Sequence, residues 1–190
     1  MNTKFRDAVI IGSYALWLTV CFLGYLFGNP PKPAVREFVA PTEAQIKDQV
    51  KHEREATRRT KAINRAVAAA RAVYRANGCG DRYSALTGRT AYEYGLSARL
   101  LAAVVFVESS CRAEARSGRD SIGLMQVNPR VWGHRAELKD PVSNMRIGSA
   151  ILKAYIGRFG LVEGLHHYNG IGNSNNDYAE HVLAAGGITQ

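Results

Sequence analysis

The apolar residues divide the chain into an uncharged N-terminal run and a longer part with helical periodicity. Residues 8–27 contain no charged side chain. A helix of that length, at about 1.5 Å per residue, crosses a hydrocarbon layer of about 30 Å. No small-x-small cleavage site follows, since the next residues are Asn29, Pro30 and Pro31. We therefore expect an uncleaved transmembrane anchor rather than a cleaved signal peptide.

The orientation of this anchor depends mainly on the length of the chain before it. Lys4 and Arg6 precede the span, and Lys32 and Arg36 follow it, so the charge bias decides little. The short tail, residues 1–7, favours a cytoplasmic N-terminus. We expect a single-pass membrane protein whose C-terminal part lies on the periplasmic or cell-wall side.

A linker and a charged helix follow the anchor. Residues 28–41 hold four of the six prolines, which predicts an extended, semi-rigid linker. Thr42 and Gln45 have the spacing of a capping box, so a helix should begin there. Residues 42–62 are mostly charged and predict a solvated spacer helix. A domain of residues 63–190 should then begin with an apolar row at helical spacing: Ile63, Val67, Ala70 and Tyr74.

The net charge of +9 favours an anionic partner without specifying which one. A nucleic-acid-binding helix over 47–75 is the alternative interpretation of the basic residues. Asp48, Glu53 and Glu55 are interleaved with them, which argues against a continuous basic face. We expect no nucleic-acid partner.

The domain itself is predicted to be mainly α-helical. Ser97 can cap one helix, and Asp140 with Pro141 has the pattern of an N-cap followed by proline at the first helical position. A last helix is expected from near Asn176 to Gly186 and Gly187. The region between Arg112 and Pro129 is rich in Gly, Ser and Arg, which favours a loop or short β-hairpin.

Glu108 is the candidate catalytic residue because it ends the most apolar helix. Leu101, Val104, Val105 and Glu108 recur at helical spacing, so the carboxyl continues a buried row. Burial disfavours the charged form and raises a carboxyl pKa, as a general acid near neutral pH requires. The pattern alone also allows Glu108 to face solvent or to pair with Arg112.

Three short motifs resemble the catalytic domain of the soluble lytic transglycosylase family, which is related to goose-type lysozyme. They are Glu108-Ser109-Ser110, Gly123-Leu124-Met125-Gln126 and Tyr168-Asn169, with Asp140-Pro141, Asn144 and Gly148 between the last two. The likeness covers roughly residues 83–183. It implies a lysozyme-like fold, with a groove that binds the glycan strands of peptidoglycan.

The resemblance also implies a reaction. Glu108 would protonate the bond between N-acetylmuramic acid and N-acetylglucosamine, then accept a proton from the muramyl 6-hydroxyl, giving 1,6-anhydromuramyl ends. Tyr168 would hydrogen-bond Glu108, and Gln126 would line the groove. Ser109 would orient the helix end. The expected substrate-binding residues are Ser109, Gln126, Asn128, Tyr168, Asn169 and Tyr178.

The sequence departs from the family pattern at two positions and has one notable aspartate. Asn128 stands where many members have Met, and His167 stands where they often have Ala. Asp120 resembles the water-placing aspartates of goose-type lysozymes, so a hydrolysing muramidase is the alternative. An inactive glycan-binding scaffold is a second alternative, against which the intact Glu108 argues.

No metal or organic cofactor is expected. His166 and His167 are adjacent and would point in different directions on a helix, which makes them poor metal ligands. Openings in peptidoglycan are needed by a growing bacterial cell, by a secretion or conjugation apparatus, and by a phage virion. In the last case the anchor would lie in a virion membrane. The sequence does not decide among these three settings.

Two of the three cysteines can form a disulfide. Cys21 lies in the apolar run, whereas Cys79 and Cys111 lie at the ends of predicted helices in the exported part. We predict a Cys79–Cys111 bridge. Two free buried thiols, or pairing of Cys79 between molecules, are the alternatives.

Overall fold

The described part of the chain is built from helices. The computed structural model describes residues 40–133, 135–170 and 177–189, and the chain divides into two compact units, Met1–Ile46 and Lys47–Gln190. The helices are α1 (Glu43–Ala76), α2 (Ser84–Tyr94), α3 (Ala98–Ser109), α4 (Pro129–Trp132), α5 (Pro141–Phe159), α6 (Leu161–Asn169) and α7 (Tyr178–Gly186), with a 3₁₀ turn over Glu137–Lys139. The predicted mainly helical class is confirmed.

The predicted anchor, residues 8–27, lies outside the described residues, as does most of the linker 28–41. Within the described ranges, no helix is both long enough and apolar enough to cross a bilayer.

Local capping signals begin three of the helices. The Thr42 amide donates to Oε1 of Gln45 at 2.8 Å, and the Gln45 amide donates to Oγ1 of Thr42 at 3.3 Å, which completes the predicted capping box. Ser97 accepts from the Leu100 amide at 3.4 Å. Asp140 accepts from the Ser143 amide at 2.8 Å. The starts predicted from these side chains are confirmed.

Helix α1 runs without a break through both predicted segments, the charged spacer and the first packed helix. Its residues up to Lys61 are exposed, and burial begins over the following turns and is complete at Ala70, Val73 and Tyr74. The Tyr74 hydroxyl forms a buried hydrogen bond of 2.6 Å with Oγ1 of Thr87 in α2. The apolar row predicted from Ile63 therefore marks where this helix meets the rest of the fold.

Helix α3 is the central element. Five successive residues from Leu101 to Val105 have no exposed surface, and α3 packs against α2 and α7, while α5 packs against α2 and α6. A helix that is apolar on nearly all sides is stable only when other elements surround it. The predicted burial of this helix is confirmed.

The region after α3 has the form that its composition predicts. Ile122 and Val127 exchange backbone hydrogen bonds of 3.0 and 3.1 Å, and Arg116 bridges to Ile122. These are isolated antiparallel bridges, and no named strand occurs within the described ranges. The segment is therefore a loop with a minimal hairpin.

Helices α2 and α6 were not predicted. Helix α2 contains Thr87, Gly88 and Thr90, residue types with weak helix propensity. Its stability comes from packing against α3 and α5 instead. Helix α6 follows α5 directly at Gly160, where the sequence indicates only a helix end.

Candidate active site

Glu108 lies one residue before the end of α3, with its carboxyl only partly exposed. The Tyr178 hydroxyl, at the first residue of α7, donates a hydrogen bond of 2.5 Å to Oε1 of Glu108. Arg112, the alternative partner, instead donates from Nε to the Ser109 carbonyl at 3.2 Å. The candidate acid is therefore held by a neutral tyrosine from a distant part of the chain.

The surroundings of Glu108 raise the pKa of its carboxyl towards neutral pH. Burial raises the pKa of Glu108 to about 7 from 4.5, and the Tyr178 hydrogen bond lowers it in part. The burial effect wins because the surrounding core solvates a carboxylate poorly. A carboxyl with a pKa near 7 can both donate and accept a proton at physiological pH.

We expect Tyr178→Phe to shift the alkaline limb of the pH–rate profile to higher pH. The hydroxyl stabilises the carboxylate by donating a hydrogen bond, so its loss leaves burial unopposed and raises the pKa of Glu108 further. Initial rates of glycan cleavage from pH 4 to 9, roughly the range in which carboxyl groups of raised pKa titrate, test this. Tyr92→Phe, at an exposed tyrosine, is the control. An unshifted limb in Tyr178→Phe would contradict the role given to this hydrogen bond.

Tyr168 does not make the predicted hydrogen bond to Glu108. Its hydroxyl donates to the Met125 carbonyl at 2.8 Å. Burial, with the nearby charge of Glu108, raises the pKa of Tyr168 well above its usual value. Tyr168 is thus a neutral neighbour of the acid, and the position bonded to Glu108 is occupied by Tyr178.

Hydrogen bonds from the side chain of Asn144 in α5 hold the Gly-Leu-Met-Gln segment in place. The buried Asn144 side chain accepts from the Met125 amide at 2.9 Å and donates to the carbonyls of Ile122 and Leu138 at 2.8 and 3.0 Å. All of its hydrogen-bonding groups have partners, which makes a buried amide stabilising rather than costly. Leu124 and Met125 have no exposed surface.

Two glycines allow this close packing. Gly123 has φ +81°, and a Cβ there would overlap the Asn144 amide. A Cβ on Gly148 would lie 2.6 Å from Cβ of Met125 and 3.1 Å from the Tyr168 hydroxyl. The motif glycines therefore do more than form turns: they bring α5 against the loop and against Tyr168.

The backbone around Glu108 is conformationally unusual. Among the residues that the structure describes, four other than glycine have positive φ, and all lie between α3 and α4: Ser110, Cys111, Asp120 and Gln126. Such conformations cost free energy and persist where the surrounding structure imposes them. One restraint is the Cys79–Cys111 disulfide, whose Cα atoms are 5.9 Å apart. The predicted bridge is confirmed.

A cavity of about 370 Å³ lies beside this site. Four of the six predicted substrate-binding residues line it: Gln126, Asn128, Tyr168 and Asn169. Trp132, Tyr155 and His167 also line it and were not singled out as sugar contacts. His167 stacks on Phe159 at 3.9 Å and on Tyr155 at 5.8 Å between ring centroids, so it forms part of an aromatic wall.

Glu108, Ser109 and Tyr178 do not belong to the cavity lining. Tyr168 lines the cavity, and the charge of Glu108 is near enough to raise the pKa of its hydroxyl. Ser109 is 3% exposed, and its hydroxyl donates to the Val105 carbonyl at 2.9 Å. That placement supports a role in ordering the helix end. Sugar contacts by Ser109 and Tyr178 stay predictions.

The side-chain amides of Gln126 and Asn128 form hydrogen bonds with backbone groups of the region between α3 and α4. Nε2 of Gln126 donates to the carbonyls of Ala115 and Gly123 at 3.1 and 2.9 Å. Asn128 caps α4 by accepting from the Arg130 amide at 2.9 Å, and it donates to the Arg119 carbonyl at 3.1 Å. Both side chains therefore shape the cavity wall as well as line it.

Asp120 is engaged by two arginines. Its Oδ2 accepts from Nε of Arg130 at 3.1 Å and from Nη2 of Arg135 at 3.2 Å. The pKa of Asp120 is lowered, chiefly by the hydrogen bond from Arg135. Because these two arginines occupy Oδ2, the arrangement disfavours the alternative in which Asp120 places a water.

Across the described residues, no group of three or more His, Cys, Asp or Glu side chains has the arrangement of a metal site. The model of the family described as Transglycosylase SLT domain matches residues 85–187 of the chain. Among curated proteins, none matches the chain. The matched region runs from α2 to the end of α7 and contains α3 with Glu108, the Gly-Leu-Met-Gln loop, Tyr168 and Tyr178.

Proposed function

The chain belongs to the transglycosylase SLT domain family, whose members are lytic transglycosylases that cleave the glycan strands of peptidoglycan, and on this premise we propose that Glu108 is its only catalytic carboxyl. The observation that carries this assignment is a partly buried carboxyl with a pKa of about 7, bonded to a neutral tyrosine. The bond cleaved is the β-1,4 linkage between N-acetylmuramic acid and N-acetylglucosamine.

In the first step, the protonated Glu108 donates its proton to the glycosidic oxygen. The bond from that oxygen to the muramyl anomeric carbon breaks, and N-acetylglucosamine leaves with the proton on its 4-oxygen. The positive charge left at the anomeric carbon is stabilised by the acetamido group of the same sugar. A second protein carboxylate is therefore not needed, in contrast to the usual pair in glycosidases.

In the second step, the ionised Glu108 removes the proton from the muramyl 6-hydroxyl. The 6-oxygen attacks the anomeric carbon, which closes the 1,6-anhydro ring and returns Glu108 to its acid form. A pKa near 7 suits both steps, because the same group must donate and then accept a proton at one pH. Tyr178 keeps the Glu108 carboxyl oriented, and its hydrogen bond stabilises the carboxylate form of Glu108 that exists between the two steps.

The ion pairs of Asp120 favour this reaction over hydrolysis. A hydrolase would need a second group that positions a water for attack on the anomeric carbon. Arg130 and Arg135 already occupy Oδ2 of Asp120, and they keep its pKa low. The family match also argues against an inactive scaffold.

We expect the products to carry 1,6-anhydromuramyl ends. Digestion of purified peptidoglycan by the full chain, followed by mass spectrometry of the muropeptides, is the test. Products heavier by one water, with reducing ends, would reassign the protein as a muramidase while leaving Glu108 as its acid.

We also propose that residues 8–27 anchor the enzyme in the membrane, with residues 42–190 on the cell-wall side. The support is the uncharged apolar run in the sequence. We expect the protein to stay in the membrane pellet after alkaline carbonate extraction and to be digested by protease added outside spheroplasts. Release by carbonate would argue against a spanning anchor, and protection from protease would reverse its orientation.

A further inference from the structure

Five basic side chains form a straight row along the exposed half of α1. With about 100° of rotation per residue, positions 51, 54, 58, 61 and 65 fall within an arc of about 80° on one face of the helix. We define the basic stripe as the residues at these positions: Lys51, Arg54, Arg58, Lys61 and Arg65. Every one of them is exposed. At about 1.5 Å of rise per residue, the stripe is about 21 Å long.

The acidic residues of this segment lie outside the stripe. Asp48 pairs with His52 at 3.5 Å, and Oε1 of Glu53 accepts from Nε2 of Gln49 at 3.2 Å. By the same helical rotation, these residues lie about 100° or more from the middle of the stripe. Glu55 borders one edge of it. One carboxylate beside five cations leaves the stripe with a net positive charge.

The stripe faces away from the surface through which α1 packs. The buried residues of α1 are Ala70, Val73 and Tyr74, and a Cβ on Gly88 of α2 would overlap the backbone of Val67. This packed face of α1 is centred about 150° from the stripe. The positive charge is therefore used neither by the core nor by the candidate active site.

The basic stripe does not help α1 to form. Arg54 and Arg58 are like charges four residues apart, and so are Lys61 and Arg65. Such pairs destabilise a helix, whereas a pair of opposite charges at this spacing stabilises it. An anionic partner would remove the repulsion. The stripe is thus suited to binding rather than to folding.

We propose that the basic stripe binds the anionic phospholipid head groups of the membrane, so that α1 lies along the bilayer surface and holds the rest of the domain beside it. The inference rests on the proposed anchor at residues 8–27. The linker over 28–41 spans at most about 50 Å when fully extended. Phospholipid head groups are therefore the anions that the anchor itself brings within reach of α1, and a straight row of charges fits their flat surface.

The contact with the membrane is electrostatic. Residues 42–65 contain no Phe, Trp or Tyr, the side chains with which interfacial helices commonly enter the acyl layer. Each Lys or Arg near an anionic bilayer surface strengthens binding about fivefold, and the effect is lost beyond a Debye length of about 8 Å at physiological salt. The binding should therefore require anionic lipid and should be reversed by salt.

The test measures the accessibility of the two stripe lysines in the full chain. The protein is reconstituted into nanodiscs of phosphatidylcholine alone or with phosphatidylglycerol, and acetylation of each lysine by an N-hydroxysuccinimide ester is followed by mass spectrometry. We expect Lys51 and Lys61 to react about tenfold more slowly in the anionic discs at low salt, and this protection to vanish at about 1 M salt. Lys139, an exposed residue outside α1, should react equally in both discs.

Arg58→Gln and Arg59→Gln are a matched pair of variants. They remove the same charge from exposed neighbours on α1, but Arg59 lies about 100° away from Arg58 around the helix, outside the stripe. Arg58→Gln should lower the protection of Lys51 and Lys61 about fivefold, the contribution of one basic residue near an anionic surface. Arg59→Gln should leave the protection unchanged.

Equal acetylation rates in the two kinds of disc would overturn the inference, and so would an equal effect of the two variants. Protection by duplex DNA or by isolated wall polymers, in place of phosphatidylglycerol, would assign the stripe to another polyanion and would also overturn it. A full chain that does not co-elute with phosphatidylcholine discs would instead refute the proposed anchor. Sedimentation of that chain with preformed vesicles then decides the inference: a preference for phosphatidylglycerol over phosphatidylcholine supports it, and no preference overturns it.

Discussion

Glu108→Gln should reduce the rate of glycan cleavage at least ~100-fold, the usual contribution of a general acid. The amide has nearly the same shape as the carboxyl and can still accept the Tyr178 hydrogen bond, but it cannot donate a proton as an acid. Loss of turbidity of a peptidoglycan suspension is the direct measurement.

The matched control is Glu180→Gln, the same change at an exposed residue of α7. It should retain wild-type activity. If Glu108→Gln also retains near wild-type activity while folded, Glu108 is not the acid, and the assignment of the whole site fails.

The stability of Glu108→Gln should depend on pH differently from the stability of the wild-type protein. Burial raises the folded-state pKa of Glu108 to about 7, so its stabilising contribution is present at low pH and is lost as the pH rises through that value. Glutamine never ionises and does not lose this contribution. The melting temperature of Glu108→Gln, relative to wild type, should therefore increase as the pH rises from 4.5, the ordinary pKa, to about 7, and should level off above that.

Removal of the disulfide should have the largest effect on stability. The bridge joins Cys79 to Cys111 across a sequence separation of 32. Loss of a native disulfide in a domain of this kind costs about 2–5 kcal/mol in the free energy of unfolding. Urea denaturation of the Cys79→Ser/Cys111→Ser variant measures the change, and cleavage should also slow because Cys111 lies three residues after Glu108.

Reduction provides the matched control for this prediction. A reducing agent should lower the denaturation midpoint of the wild-type protein and leave that of the double variant unchanged. The denatured, unreduced protein should have one titratable thiol, at Cys21, and should run as a monomer on a non-reducing gel. Three titratable thiols would show that the bridge does not form in the purified protein.

Local patterns were sufficient for the helix starts at Thr42, Ser97 and Asp140, because a cap depends on residues within one turn. The burial of α3 also followed from its own composition, since a helix without a polar face must be surrounded. Helix α2 escaped prediction because its stability comes from packing against α3 and α5, which its own residues do not indicate.

The position of Glu108 on a buried helix was likewise present in the sequence, and the raised pKa follows from that burial. The sequence did not show which tyrosine donates the hydrogen bond to Glu108. Tyr168 and Tyr178 are equivalent as residue types, and the choice between them depends on how α6 and α7 approach the end of α3. The hydroxyl of Tyr168 is taken by the Met125 carbonyl at 2.8 Å, which leaves Tyr178 to bond the acid.

Asp120 is the clearest case of a property that only the tertiary structure decides. Its sequence position is compatible with a water-placing aspartate, but Arg130 and Arg135 converge on its carboxylate and lower its pKa. Apolar periodicity and capping act over a few residues, so the sequence by itself determined the starts of α1, α3 and α5 and the burial of α3, which carries Glu108. Electrostatic and hydrogen-bond partners come from distant segments, so they were decided only when the chain had folded.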